Sequence, residues 1–146
     1  MQPDTNYWIV VASRDHGQRG VREGIVQANH GKRAALDRMR PGDRLAIYSP
    51  REEYGKPGQL QAFTALATVS EGPVWQADMG NGFLPFRRKV EYEPVVDAPL
   101  LPLLDRLTFI RNKTSYGAVF RFGVIRIPRE DFDVIESALR ATGAEE

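Results

Sequence analysis

Apolar and polar residues along the chain fall into short runs broken by glycine and proline, the pattern of strands joined by turns. The first run, Tyr7-Trp8-Ile9-Val10-Val11-Ala12 within 6–13, is continuously apolar and predicts a strand buried on both faces. Gly17, Gly20 and Gly24 then loosen the chain, so the pattern places a short helix only from Val21 to about Asn29, with Gly24 as its weak point. Between Lys32 and Arg40, Leu36 and Met39 share a side at i, i+3 spacing and predict a helical turn. Pro41-Gly42-Asp43 is a turn that delivers Arg44-Leu45-Ala46-Ile47-Tyr48-Ser49, a strand stopped by Pro50. Residues 52–59 are polar and loop-forming. From Gln61 to Val69 the alternation puts Phe63, Ala65, Ala67 and Val69 on one face and Thr64 and Thr68 on the other.

The later half repeats this grammar. Residues 72–85 carry glycines and prolines and predict an irregular loop, and 87–93 alternate again, with Val90 and Tyr92 opposed to Lys89, Glu91 and Glu93. Residues 97–107 are apolar but proline-broken, with room for one helical turn, and 117–127 predict the last long strand, with Phe120, Phe122 and Val124 on one side. A terminal helix opens at Pro128 and carries an apolar stripe of Phe132, Ile135 and Leu139. Five to six strands with short flanking helices and a C-terminal helix predict an α/β (α+β) domain built on a mixed β-barrel, closed or nearly closed so that no strand edge is left exposed. The linkers are too short for a second unit, so residues 1–146 read as one domain with its core from about 6 to 139.

Composition narrows the function more than the fold. A chain of 146 residues suits one domain and buries roughly 68–70% of its unfolded surface, enough for a core without covalent staples. With no cysteine, disulfides, thiolate metal sites and a cysteine nucleophile are excluded. No stretch approaches the ~20 apolar residues of a membrane span, and Met1-Gln2-Pro3-Asp4-Thr5 does not look like a signal peptide. The expected location is therefore cytoplasmic, with no membrane partner. Twenty Lys and Arg against nineteen Asp and Glu leave a net charge of +1. A protein that grips long nucleic acid mainly by its phosphates is normally more basic, so binding has to come from a local pocket or patch.

Most catalytic signatures are absent: there is no phosphate loop, no G-x-G-x-x-G, no H-E-x-x-H and no G-x-S-x-G. His16 and His30 stand fourteen residues apart without supporting carboxylates, a poor metal site. Neither a metal nor a cofactor is expected. Trp8 sits mid-strand and reads as core, whereas Trp75 lies in the glycine-rich loop, either plugging one end of the core or offering a stacking surface to a flat ligand. Arg87-Arg88-Lys89, and Arg111, Lys113 and Arg121, are the basic clusters; taken alone they read as a solvated strand edge and a polar surface loop.

The ordered set of segments carries a resemblance. It comprises Asn6-Tyr7-Trp8-Ile9-Val10-Val11-Ala12-Ser13 with His16, Gly24 to Lys32, Arg38-Met39-Arg40-Pro41-Gly42-Asp43 leading to Tyr48-Ser49-Pro50, Phe83 to Arg88, Phe109-Ile110-Arg111-Asn112-Lys113, and Phe120-Arg121-Phe122-Gly123 followed by Glu130-Asp131-Phe132. Together, from about Asn6 to Leu139, these resemble the EVE domain family, particularly its short stand-alone bacterial and archaeal members. The resemblance implies a PUA-like barrel related to YTH domains, which read methylated adenine in RNA. It also implies a non-catalytic module that holds a modified base, notably a modified cytosine, in an aromatic-walled pocket. Its partner would be a nucleic acid or nucleotide-like ligand; the sequence leaves the oligomeric state open, with a monomer favoured.

By position, the resemblance implies that Ser13, with His16 nearby, contacts a base edge. Val26 falls where YTH domains place one cage tryptophan but carries no ring, and Gln27 beside it could supply amide hydrogen bonds. Trp75 and Met79 lie near a second cage tryptophan and a cage methionine, and Asn112 and Lys113 fall where a polar residue closes the pocket. Extracting a base from its stack costs a few kcal/mol, and stacking on one aromatic side chain returns ~1–3 kcal/mol. Trp75 alone would about break even. Net affinity then needs hydrogen bonds from Ser13, Gln27 or the Tyr48-Ser49 pair, and phosphate contacts from Arg87, Arg88, Arg111 or Lys113. A base already unpaired, or a free nucleotide, would be cheaper to bind. Two other readings stay open: a binder of free nucleosides, nucleotides or anionic metabolites, and a modified-base hydrolase using His16, His30 or Lys32, for which no paired nucleophile is evident.

Overall fold

The computed structural model describes residues 4–27 and 33–145, with side chains described as far as Arg140. A six-stranded sheet runs in the order β2 (Ile25–Gln27), β6 (Phe86–Glu93), β4 (Ala62–Val69), β3 (Arg44–Ser49), β1 (Tyr7–Val11), β8 (Val124–Ile127), with two-residue strands β5 (Trp75–Gln76) on β6 and β7 (Ala98–Pro99) on β4. The β1–β3 pair is parallel and the other pairs are antiparallel. The sheet curls into a half-barrel, the mixed α/β architecture expected of the strand count and the terminal helix. β1 is flanked by a strand on each side and buried on both faces, which its uninterrupted run of aromatic and β-branched residues suits.

Alternate residues of the same strands feed two separate cores. Tyr7, Ile9, Ala46 and Tyr48 face one side, where α3 (Arg129–Glu145) lays down Phe132, Ile135 and Leu139 as its stripe predicts. The start of α3 is tied by the buried Asp131 carboxylate, which accepts the Phe109 N–H at 2.7 Å and the Thr108 hydroxyl at 3.0 Å. Trp8, Val10, Leu45 and Ile47 face the other side and pack with Val26, Leu36, Met39 and Val90. There the Trp8 indole N–H donates to the buried Asp43 carboxylate at 3.0 Å, which also accepts the Asn6 and Arg40 N–H groups. Trp8 is a core residue.

Three local expectations are corrected. The first helix, α1, spans Arg14–Glu23 and ends where the 21–29 reading had it beginning: Gly24 adopts φ +71° as a left-handed cap, and Ile25 starts a strand. Its inner positions are the glycines themselves. A Cβ on Gly20 would lie 2.8 Å from the Ile25 carbonyl oxygen, so only glycine lets this helix approach β2 so closely. In β4, Ile47 pairs with Ala65 but Tyr48 pairs with Phe63, leaving Thr64 as the extra residue of a bulge. Phe63 thereby swings to the α3 side, away from Ala65 and Ala67. Finally, only Val124–Ile127 of the 117–127 segment is strand. Residues Tyr116–Phe122 form a 3₁₀ helix that drives Phe120 into the α3-side core, and Gly123 at φ +81° turns the chain into β8. The helical turn expected near Leu36 is α2 (Ala34–Arg38).

Candidate functional site

Beside α1, on the sheet face away from α3, lies a cavity of about 850 Å³. Val10, Val26 and Ile47 give it an apolar floor, and Gly17 and Gly20 form the wall contributed by α1. Because those positions carry no side chains, the helix backbone lies on the strands and the space alongside is left unfilled.

One end of the cavity is built on the start of α1. The Asp15 carboxylate accepts the Ser13 hydroxyl at 2.5 Å, the His16 N–H at 2.8 Å and the Tyr54 N–H at 3.2 Å. Partial burial pushes its pKa up, but these hydrogen bonds and the adjacent His16 win and hold it below the ordinary carboxylate value. The same tie lays the 51–54 segment along the helix start: the Arg14 and Asp15 N–H groups donate to the Arg51 and Glu52 carbonyls, each at 2.9 Å. Tyr54 is thereby held face to face with the His16 ring, with centroids 5.0 Å apart and planes 20° from parallel, and remains 66% exposed at the mouth. With its first N–H groups engaged this way, the start of α1 offers no open anion cradle.

The other end is a row across two strands. Gln27 of β2 pairs directly with Arg87 of β6. The Arg87 Nε–H donates to Gln27 Oε1 at 2.9 Å, one terminal nitrogen pairs with Glu23 at 3.3 Å, and the other reaches the Met79 sulfur at 2.9 Å. β5 and β6 form a hairpin whose register is carried on by Ala77 N–H to Pro85 O and Met79 N–H to Phe83 O, both 2.9 Å. Its tip, Gly80-Asn81-Gly82, holds three consecutive positive φ angles, which two glycines and an asparagine tolerate best. Directly paired residues share a face and alternate along each strand, so Met79, Phe83 and Arg87 share one face of the hairpin, and all three line the cavity. Tyr92 closes the back, its hydroxyl donating to the Ile25 carbonyl at 2.9 Å and its pKa raised by burial.

Of the residues singled out in the sequence, Ser13, His16, Gln27, Met79 and Arg87 come together here, with Val26 among them. The others are placed elsewhere, each for a physical reason. Strand alternation sends Ile47 to the cavity and Tyr48 to the opposite core, where it stacks on Phe120 at 3.9 Å. The Ser49 hydroxyl is buried against Thr64 Oγ1 at 2.8 Å. Trp75 lies on a strand rather than in irregular loop; it is paired with Arg87, outside the cavity lining, and 39% exposed. Arg88, one step past Arg87, is buried and donates to the Leu36 carbonyl. The 111–113 loop satisfies itself instead of closing the cavity: Asn112 Oδ1 accepts the Thr114 and Ser115 N–H groups, and Lys113 donates to the Leu104 and Leu107 carbonyls at 2.8 Å. Arg111 is exposed and does not line the cavity. Tyr54 and Phe83, on segments whose sequence predicts polar or irregular loops, line it together with Tyr92 and His16. Tyr54 is the single aromatic of the polar 52–59 segment, a signal that was available, whereas Phe83 shares its glycine-rich segment with Trp75 and nothing in the sequence separates the two.

His30 and Lys32 lie outside the described residues. Among the described residues no group of three His, Asp or Glu side chains is placed to hold a metal ion, and no helix is long and apolar enough to cross a membrane.

The family model described as "EVE domain" matches residues 6–138. A UPF0310 protein of Mesorhizobium japonicum is 47% identical over 137 residues, covering 92% of each chain. A UPF0310 protein of Mycolicibacterium gilvum is 46% identical over 132 residues, 90% of this chain and 94% of the relative. Among solved structures, the YTH domain of Zygosaccharomyces rouxii MRB1 in complex with N6-methyladenosine RNA superposes with a TM-score of 0.64 at 13% identity, covering 96% of this chain and 90% of that one. That likeness is one of fold. The chain belongs to the EVE domain family.

Proposed function

We propose that this chain is a non-catalytic binding module that takes a modified nucleobase of DNA or RNA, a modified cytosine or a similar base, into the cavity beside α1. The observation that carries the reading is the joining, in one cavity of about 850 Å³, of exposed rings at the mouth with the Gln27–Arg87 pair on the wall. That volume lies within the range of roughly 300–1,000 Å³ common to small-ligand sites. Tyr54 and Phe83 supply flat apolar surface, Val10, Val26 and Ile47 accommodate an added methyl group, and Ser13 and Gln27 supply edge contacts. Gln27 accepts from Arg87 through its oxygen and keeps an amide nitrogen to donate. The Zygosaccharomyces rouxii YTH domain, whose structure holds N6-methyladenosine RNA, supports the reading through its shared fold.

Titration of single-stranded oligonucleotides carrying 5-methylcytosine, N6-methyladenine or no modification tests it. One modified strand should bind more tightly than its unmodified twin, and Phe83→Ala should weaken that binding roughly 5- to 150-fold, the worth of one aromatic stack. Equal weak binding to all strands, unmoved by Phe83→Ala, would sink the reading.

A second reading, a free nucleotide or other small anionic metabolite, draws support from the cations. Arg88 is buried, Lys113 is tied to carbonyls, and the arginines among the described lining residues are Arg19, Arg51 and Arg87. Affinity that stops rising beyond a single nucleotide would favour it.

A further inference from the structure

Trp75 occupies a position that the cavity itself does not use. It pairs with Arg87 across β5 and β6, just as Gln27 pairs with Arg87 across β2 and β6, so the three side chains form one row on one face. Gln27 and Arg87 line the cavity; Trp75 is the next member of the row and lies outside the lining. The ring is 39% exposed on a hairpin whose tip and register are fixed by paired backbone groups. Such a placement differs from that of a plug, which would be covered, and from that of a cavity wall, which would line the void. Arg87, the middle member of the row, both lines the cavity and pairs with Trp75. Its hydrogen bonds to Gln27, Glu23 and Met79 hold it in place, and each terminal nitrogen has a second N–H.

We infer that the indole of Trp75 is a stacking platform for the nucleotide next to the one whose base enters the cavity, with Arg87 under the phosphate that joins them. The inference rests on the base-binding reading and deepens it: the partner is a strand, and the unit recognised spans at least two nucleotides. The occupant follows from the order of chemistry along the row, an edge-binding amide, then a cation, then a flat apolar ring, which matches base, phosphate and base. Stacking on one ring is sequence-tolerant because every base has a π-face, so the platform adds affinity without asking for a particular neighbour.

The test is a length series with 5-methyl-2′-deoxycytidine, its 5′-monophosphate, and a trinucleotide in which the same base is flanked by thymidines. Wild-type protein should bind the trinucleotide roughly 5- to 150-fold more tightly than the monophosphate, as expected of one stacked ring. Trp75→Ala should erase that gain and leave nucleoside affinity unchanged, while Trp75→Phe, which keeps a ring, should retain most of it. The trinucleotide should also lose affinity with salt more steeply than the nucleoside, because a phosphate is neutralised. Equal affinity for monophosphate and trinucleotide overturns the platform, and so does a Trp75→Ala loss that is the same at every length, which would make the indole part of the cavity. If neither these probes nor N6-methyladenosine and its trinucleotide bind to a variant-independent, folded protein, the base-binding reading falls and the platform with it. That outcome is distinct from one in which the nucleoside binds and length adds nothing.

Discussion

The two faces of the sheet are made from the same strands and end in opposite ways. On the α3 side, Phe132, Ile135 and Leu139 reach down between Tyr7, Ile9 and Tyr48, and the space is filled. On the α1 side, the positions turned to the sheet are Gly17 and Gly20, and about 850 Å³ stays open beside the helix. The strands are not the cause, since Val10 and Ile47 are as apolar and nearly as buried as Ile9 and Tyr48. The difference lies in the covering helix. A helix that brings large side chains makes a core, and a helix that brings bare backbone leaves a vacancy that its flanking loops then furnish with polar and aromatic groups.

The largest expected effect sharpens this contrast. Phe132 is 1% exposed, so Phe132→Ala should cost ~3–5 kcal/mol of stability, mostly as a lower denaturation midpoint. Phe83→Ala removes a ring of the same kind from the open side, where it is 49% exposed, and should stay within about 0.5 kcal/mol of wild type. Comparable losses for the two would mean that the cavity mouth is in fact part of a core.

Next in size is Gly20→Ala. Its methyl group would sit 2.8 Å from the Ile25 carbonyl oxygen, so α1 must lift from β2, and a destabilisation of roughly 1–3 kcal/mol should follow despite alanine's better helix propensity. Gly17 behaves oppositely. A Cβ there meets only Ile47 side-chain atoms, at 3.6 and 3.8 Å, an ordinary contact. Gly17→Ala should therefore be neutral or stabilising by up to ~1 kcal/mol, whereas Gly17→Leu should push into the cavity and abolish ligand binding while the fold survives. Thermal melts and the oligonucleotide titration read the two effects separately. Stability losses of the same size at positions 17 and 20 would break the account of α1.

How much of this was legible beforehand follows the same division. The α3 side was readable because its elements announce themselves: an apolar strand at Tyr7–Val11, a proline-bounded strand at Arg44–Ser49, and a helix with a stripe three to four residues apart. The α1 side was not, because its helix has no apolar stripe to detect. Glycines that usually interrupt a helix are here its buried surface, and the close approach that makes them favourable is a tertiary fact. Of the residues that the ordered family pattern points to, Ser13, His16, Gln27, Met79 and Arg87 line one cavity. The same pattern points to Tyr48 and Trp75 by proximity, but proximity along a strand does not say which face a side chain takes. Strand parity puts Tyr48 in the opposite core, and the hairpin register puts Trp75 one step beyond the cavity. The bulge at Thr64 inverted parity again for Phe63, and no alternation count could have found it.

The smallest expected effect concerns the tie that furnishes the open side. In the folded chain Asp15 titrates below its ordinary value, because three donors and the neighbouring His16 outweigh the cost of partial burial. In the unfolded chain it returns to about 3.9. Between those two values the unfolded state binds more protons than the folded one, so stability rises with pH across that window. The contribution of Asp15 should be complete above about pH 5 and should disappear as pH falls through the depressed folded value. With it should go the hold on the Tyr54 N–H, and hence the His16–Tyr54 stack at the cavity mouth. The stability gap between wild type and Asp15→Asn, followed by denaturation at successive pH values, should be level near neutrality and close in acid. Over the same range the ring resonances of Tyr54 should move toward their Asp15→Asn positions. A gap that does not narrow as the pH is lowered below about 3.9, or Tyr54 resonances that do not move, would show that something other than this carboxylate holds the loop on α1, and the mouth would then owe its shape to the loop alone.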